Sequence, residues 1–302
     1  MAKRAALFPG QGAQYVGMGR AAWQKCPAAK AVFEQANAAL GFDVAKLCFE
    51  GPEARLTETE LQQPAILTAT IAAVEAWRAA GSPGGPVEAA TGLSLGEYAA
   101  LVFAEALSFD DAVRLVHSRG RFMHEASVQN PGAMASILGL DAAQLQALEA
   151  QAAAKGPVVL ANFNCPGQIV VSGAVDAVDE LCGLATAAGA KRCIKLNVSG
   201  AFHSRLMQPA AEKLAAVLER VQIRPPKIPV IANVTASPVG DPSEIRALLV
   251  RQITSPVLWE QSMLRLLTDG FGRFVEIGPG KVLAGLMRRI DRNVEMENYE
   301  GE

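Results

Sequence analysis

The chain has 302 residues, half of them hydrophobic and 19% charged, with a formal net charge of −2. That length can bury a large core, and the even charge balance leaves no footprint for nucleic acid or an anionic membrane. No apolar run reaches the length of a membrane span, and the apolar stretch in the basic start "MAKRAALFPGQG" is too short for a signal peptide. In chain order, "AALF" reads as a first strand that leaves through the glycine-rich turn "PGQG". Helical segments follow to about Ala80, the last of them, "LQQPAILTATIAAVEAWRAAG", a long buried helix stopped by Gly81. "VEAATG" is a short strand running into "TGLSLGEYAALV", and "SFDDAVRLVHSRGRFMHEA" is a helix capped by Ser108 or Asp110 with acids in its first turn.

From about Gly132 the pattern is strand (MASILGL), helix (DAAQLQALEAQAAAK), strand (PVVLANFN), strand (QIVVSG), helix (AVDAVDELCGLATAAGA) and strand (KRCIKL). That βαββαβ order is the ferredoxin-like arrangement. A helix from about Ser204, the strand "IPVIANV", a helix near Ile245, the strand "FVEIG" and a helix after "PGK" complete the chain, and "EMENYEGE" reads as a frayed acidic end. The expected organisation is one α/β domain, residues 1–127 and 198–302, interrupted by a smaller one at 128–197. The five cysteines (Cys26, Cys48, Cys165, Cys182, Cys193) lack C-x-x-C spacing and read as reduced packing residues of a cytoplasmic protein, with no metal site.

Gly92-Leu93-Ser94-Leu95-Gly96 fits G-x-S-x-G, with a strand before it and a helix start after it. That is the context of a nucleophile elbow, whose sharp turn needs small residues on either side of the serine; an ordinary helix-capping serine fits the same five residues. A serine hydroxyl needs a base, and the chain has three histidines. At about 100° per residue, His117 and His124 share a charged helix face with Arg114 and Arg121 and are expected at the surface. His203, in "NVSGAFHSRLM", follows a strand and has small neighbours, so by elimination it is the candidate base. On the opposite face of the same helix, Arg119 falls among Ala112, Leu115, Val116, Gly120 and Met123. A guanidinium there needs an anionic partner or a wet cavity. The partner is either a distant carboxylate of the chain or a ligand carboxylate, which arginine binds at two points.

"FPGQGAQYVGMG", "GLSLGEYAALV", Arg119-Gly120, "NCPGQIVVSG", "GAFHSRLM", "RQITSPVLWEQSM" and "EIGPGKVLAGL" together resemble the malonyl-CoA:acyl carrier protein transacylases, in order and over nearly the whole chain. The resemblance implies an α/β-hydrolase-like core with a mainly parallel sheet plus an inserted ferredoxin-like subdomain. It implies that Ser94 is acylated by malonyl-CoA and that His203 is its base, oriented by main-chain carbonyl contacts near Gln252. Arg119 would clamp the malonyl carboxylate, the backbone N–H groups of Gln11 and Leu95 would form the oxyanion hole, and Gln63 would line the pocket. Preorganised donors of the oxyanion type are worth roughly 3–4 kcal/mol each. Phe202 would crowd a methyl on the malonyl α-carbon, a discrimination of about 1–3 kcal/mol. The acceptor would be the phosphopantetheine thiol of an acidic acyl carrier protein, with Lys191 and Arg192 as candidate contacts. No bound cofactor and a monomer are expected, and the malonyl group would supply extender units for fatty-acid synthesis. Leu93 departs from the family, many members of which have histidine there.

Competing expectations are a malonyl transferase serving a polyketide synthase, a serine thioesterase or esterase, and a non-catalytic carrier-docking module. A hydrolase usually places its histidine late, and no histidine follows His203 here. "GMGRAA" lacks the preceding strand of a dinucleotide site, and "GPGK" lacks P-loop spacing.

Overall fold

The structure is a computed structural model that describes residues 2–301. The chain begins with β1 (Lys3–Phe8), then α1 (Arg20–Lys25), α2 (Pro27–Leu40), α3 (Val44–Glu50), α4 (Glu53–Leu56), α5 (Thr59–Ala79), β2 (Ala89–Gly92), α6 (Gly96–Phe103) and α7 (Phe109–Gln129). The middle segment runs β3 (Ala133–Leu138), α8 (Ala142–Ala152), β4 (Val158–Cys165), β5 (Gln168–Gly173), α9 (Val175–Ala187) and β6 (Arg192–Lys195). The remainder is α10 (Gln208–Leu218), β7 (Val230–Ala232), β8 (Ser237–Val239), α11 (Pro242–Gln252), α12 (Trp259–Thr268), β9 (Phe271–Ile277), α13 (Val282–Ile290) and β10 (Glu295–Tyr299).

The larger sheet has six strands in the order β10-β9-β1-β2-β7-β8, parallel except for β8. Both of its faces are covered, which is why its central strands read as continuous apolar runs rather than as alternation. In β1, Ala6 and Phe8 join the core built with α5, α6 and α7, while Ala5 and Leu7 join Trp259, Met263, Leu283 and Met287 on α12 and α13. The smaller sheet is antiparallel, in the order β4-β5-β3-β6, the ferredoxin-like order. One face carries Ile137, Leu160 and Val171 against Leu145, Val178 and Leu181 of α8 and α9. Its other face, with Met134 and Val170, turns toward the larger domain. Val257, just before α12, exchanges main-chain hydrogen bonds with Ala161 and Phe163 and so ties β4 to the core. No helix among the described residues is long and apolar enough to cross a membrane.

Four local features differ from the reading of the sequence. "IPVIANV" yields only three residues of strand before the chain turns into β8, and α12 was not anticipated. His117 is half-buried rather than superficial, packed between Glu60 at 3.4 Å and the Phe42 ring at 5.7 Å. The expected frayed end is a strand: β10 pairs in parallel with β9 along Glu295–Tyr299. Its acids have partners far away in sequence, which no local pattern could reveal. Glu297 meets Arg4 at 2.7 Å, Glu295 meets Arg273 at 2.9 Å, and Glu300 accepts from Gly280 N at 2.6 Å.

Arg4 is almost wholly buried, donates also to Pro83 O and Gly85 O, and has Glu297 as its ion-pair partner. Glu297 is itself 43% exposed, so solvent screens the pair. Glu297→Ala is expected to lower stability by about 1 kcal/mol, read as a lower urea midpoint at unchanged slope. An unchanged midpoint would mean that backbone pairing alone holds the last strand.

Candidate active site

Ser94 stands at the turn between β2 and α6 with φ 51°, a left-handed conformation that a non-glycine residue adopts only when its surroundings enforce it. The glycines on either side leave no room for alternatives. A Cβ at Gly92 would lie 2.1 Å from Gly96 C and O, and one at Gly96 would lie 2.1 Å from Phe8 O. Asn233 holds the turn: its Oδ1 accepts from Ser94 N at 2.7 Å and its Nδ2 donates to Gly92 O at 2.8 Å.

His203 also has a positive φ, 59°, in the loop between β6 and α10. Ser94 Oγ lies 2.8 Å from His203 Nε2, and His203 Nδ1 lies 2.8 Å from the Gln252 carbonyl. A carbonyl only accepts, so Nδ1 carries the proton and Nε2 presents its lone pair to the serine. Burial, then the Arg119 charge, push His203 down to about 4, against the opposing hydrogen bonds to the main chain at Gln252 and Ser255. The imidazole is therefore neutral near pH 7, the form a general base requires.

Arg119 of α7 is fully buried. Its direct partners are all neutral: Gln63 Oε1 at 2.7 Å, Ser94 Oγ at 3.1 Å and Gln252 Oε1 at 3.1 Å. The Tyr98 ring lies 5.5 Å from the guanidinium, and Arg119 Nε is buried without a partner among the described residues. Of the two readings of this arginine, a distant carboxylate in direct contact is not what the fold supplies; Glu97 acts on it only through space. A cavity of about 150 Å³ opens above Ser94 and His203, lined by Gln11, Leu93 and Phe202 from the core and by Met134, Asn162, Asn164, Val170 and Leu196 from the smaller sheet.

Thus Ser94, His203, Arg119, Gln63 and Gln252 are brought together, and Gln11, Phe202 and Leu93 line the cavity above them. Leu95 is buried at the elbow, next to Ser94. Lys191 and Arg192 are not in the cavity wall: Arg192 stands opposite Leu138, at the far end of β6 from Leu196. His124 is exposed and lines a separate hollow with Glu58 and Asn197. Among the described residues no three His, Cys, Asp or Glu side chains gather as a metal site.

The acyl transferase domain family matches residues 6–300. The malonyl CoA-acyl carrier protein transacylase of Bacillus subtilis is 47% identical over 297 residues, 98% of this chain and 92% of that protein. That of Escherichia coli K12 is 44% identical over 291 residues, 96% and 93% of the two chains. This chain belongs to the malonyl CoA-acyl carrier protein transacylase family. The solved structure of the Coxiella burnetii transacylase superposes with a TM-score of 0.96 at 40% identity, covering 99% of this chain and 94% of that one. A complex of a type II polyketide synthase acyl-carrier protein with its malonyl-transacylase superposes at 0.94 with 39% identity, over 98% of this chain and 96% of that one.

Sequence reasoning within the transacylase likeness missed Glu97, Asn233, Asn162 and Asn164. Glu97 looks like an ordinary first-turn acid of a helix and is nonetheless buried. Asn233 ends a strand whose register only the sheet reveals, and the two asparagines reach the cavity because β4 is bulged between Leu160 and Asn162.

With His203 neutral and its Nε2 facing Ser94 Oγ, labelling of Ser94 by a phosphonofluoridate is expected to persist well below pH 6.5 and to fall only near about 4. Arg119→Met removes the second cause of the depression, so its acid limb should move up. A wild-type limb at 6.5 would overturn this account. The same depression makes the folded state bind fewer protons than the unfolded chain, so this group's share of stability falls as pH drops from 6.5 toward about 4.

Proposed function

We propose that the protein is a malonyl-CoA:acyl carrier protein S-malonyltransferase working through a Ser94 acyl-enzyme. The carrying observation is the serine–histidine pair joined at Ser94 Oγ by a buried arginine whose direct partners are all neutral. His203 Nε2 takes the Ser94 proton as Oγ attacks the malonyl thioester carbonyl, and returns it to the leaving CoA sulfur. The Gln252 carbonyl fixes the tautomer that an aspartate fixes in a Ser-His-Asp triad. The N–H groups of Gln11, which lines the cavity, and of Leu95, which follows Ser94, would donate to the oxyanion as it develops.

Arg119 gives the site its preference for an acyl group with a free carboxylate. It donates to Ser94 Oγ, a bond that lowers the nucleophilicity of that oxygen. A malonyl carboxylate would draw that donor away and release Oγ for attack, so binding of the right acyl group activates the serine. Phe202, buried against the cavity, supports malonyl over methylmalonyl.

The second half-reaction moves the malonyl group from Ser94 Oγ to the phosphopantetheine thiol of an acyl carrier protein, with His203 now taking the thiol proton. Charge supports this partner. Lys191 N donates to Leu138 O, Gly139 N donates to Gly167 O, and Gln168 Oε1 accepts from Arg289 Nη1, so Lys191 and Arg289 flank the same β4–β5 turn. With Arg192 they form an exposed cationic stripe from the edge of the smaller sheet to α13, suited to an acidic carrier. The protein is read as cytoplasmic and monomeric, needs no bound cofactor, and would serve fatty-acid synthesis; a polyketide synthase would use the same chemistry.

With radiolabelled malonyl-CoA, the wild type should hold label and pass it to a phosphopantetheinylated carrier, and Ser94→Ala should hold none. Arg119→Ala should lose about 30-fold or more in acylation rate, as removal of one partner of a desolvated charged pair costs ~2–5 kcal/mol. Label released only as free malonate would replace the transferase with a hydrolase, and absence of label would favour a silent docking module. Arg289→Glu should slow the carrier step about ten-fold and leave acylation unchanged, the loss deepening at low salt. Equal slowing of both steps would remove the stripe from carrier docking.

A further inference from the structure

Gln252 touches every working part of the site. Its carbonyl orients His203, its Oε1 accepts from Arg119 at 3.1 Å, and its Nε2 donates to Ser94 O at 3.1 Å and to Glu97 Oε2 at 2.8 Å. An amide can be turned end for end, and the two orientations differ only in which neighbours they suit. The reversed amide would set its NH₂ against the Arg119 donors and its oxygen against the Glu97 carboxyl. Glu97, buried in the first turn of α6, gives Nε2 its shortest contact and, with Ser94 O at 3.1 Å and Asn233 Oδ1 at 3.4 Å, selects the orientation useful to Arg119.

Resting on the acyl-transfer reading above, we propose that Glu97 is a positioning residue of this site: as a hydrogen-bond acceptor it holds the Gln252 amide so that Oε1 faces Arg119 and aims the guanidinium at the acyl carboxylate. Glu97 Oε2 accepts from Asn233 N at 3.0 Å as well as from Gln252. Burial pushes Glu97 up to about 7, against the two hydrogen bonds and the Arg119 charge. Both hydrogen bonds end on one oxygen, Oε2, so an amide at this position can supply the same acceptor without the charge. The serine–histidine pair does not pass through this bond. His203 is held by the main chain of Gln252, and the elbow is held by the Asn233 side chain.

The test compares two acylations of Ser94, one by labelled malonyl-CoA and one by p-nitrophenyl acetate, which lacks a carboxylate. Glu97→Met keeps the length and removes the acceptor; it should lose at least 30-fold with malonyl-CoA and less than 3-fold in the p-nitrophenol burst. Glu97→Gln keeps an acceptor and should recover malonyl acylation to within about 3-fold of wild type. An equal loss in both reactions, or Glu97→Gln no better than Glu97→Met, overturns the positioning role. Should Glu97→Met fail to fold, Glu97→Ala removes the same acceptor with a smaller side chain: it should show the same selective loss, and an equal loss again overturns the role. A wild type that reacts with p-nitrophenyl acetate but never with malonyl-CoA would instead sink the acyl-transfer reading itself.

Discussion

The close approach of the β2–α6 turn to the end of β1 is the constraint from which the site follows. Phe8 O would sit 2.1 Å from any Cβ at residue 96, so the helix can start there only from glycine. The same crowding forces Ser94 into a positive φ and lifts its hydroxyl out of the sheet toward His203. Strain of this kind costs about 1–3 kcal/mol and survives only where neighbours over-determine it. Here Asn233 bonds the chain on both sides of the strained residue, and the parallel β1–β2 pairing sets the distance. His203 carries the same kind of strain. Two left-handed residues facing each other across 2.8 Å mean that neither side chain has far to move before reaction.

Around that pair lies a buried polar cluster with one guanidinium, one carboxyl and amides from Gln63, Gln252 and Asn233. An isolated charge would be expelled from such a place or would lose its ionisation. Arginine cannot lose its proton in practice, so the surroundings adapt to it. Glutamine oxygens solvate it, Tyr98 lies against its face, and Glu97 balances it through space. Burial, and after it the same positive charge, keep His203 neutral, so the arginine that the polar cluster is built around also acts on the imidazole. Leu93, where many relatives carry histidine, removes no member of this cluster; it contributes apolar wall to the cavity instead.

What was legible in the sequence follows from what is local. The elbow is five consecutive residues, and the apolar stripe that exposed Arg119 is a single helix face; both obey a period that can be counted. The ferredoxin-like order was legible because each of its strands and helices is bounded by turn residues. The unread parts depend on pairing across long separations. β10 could not be told from a frayed tail, because its acids are matched by Arg4 and Arg273, more than twenty residues away at the nearest. Glu97 carries the sequence signature of a solvated first-turn acid, and only the packing of α11 and Asn233 against it turns it inward. The stretch around Lys191 and Arg192 was legible as basic but not as lying beside Arg289, since the β4–β5 turn that joins them belongs to neither segment.

The smaller sheet decides what kind of chemistry the elbow performs. A serine–histidine pair open to bulk water would hydrolyse its own acyl-enzyme. Met134, Val170 and Leu196 on the inner face of that sheet narrow the space above Ser94 to a half-open cavity of about 150 Å³. An acyl group occupying the space displaces water from it. The sheet is held over the site by the Val257 bridge to β4 and by the loop that carries Phe202 and His203 itself. His203 is thus strung between the two sheets. The covering of the space above Ser94 and the placing of His203 then depend on one joint in the fold.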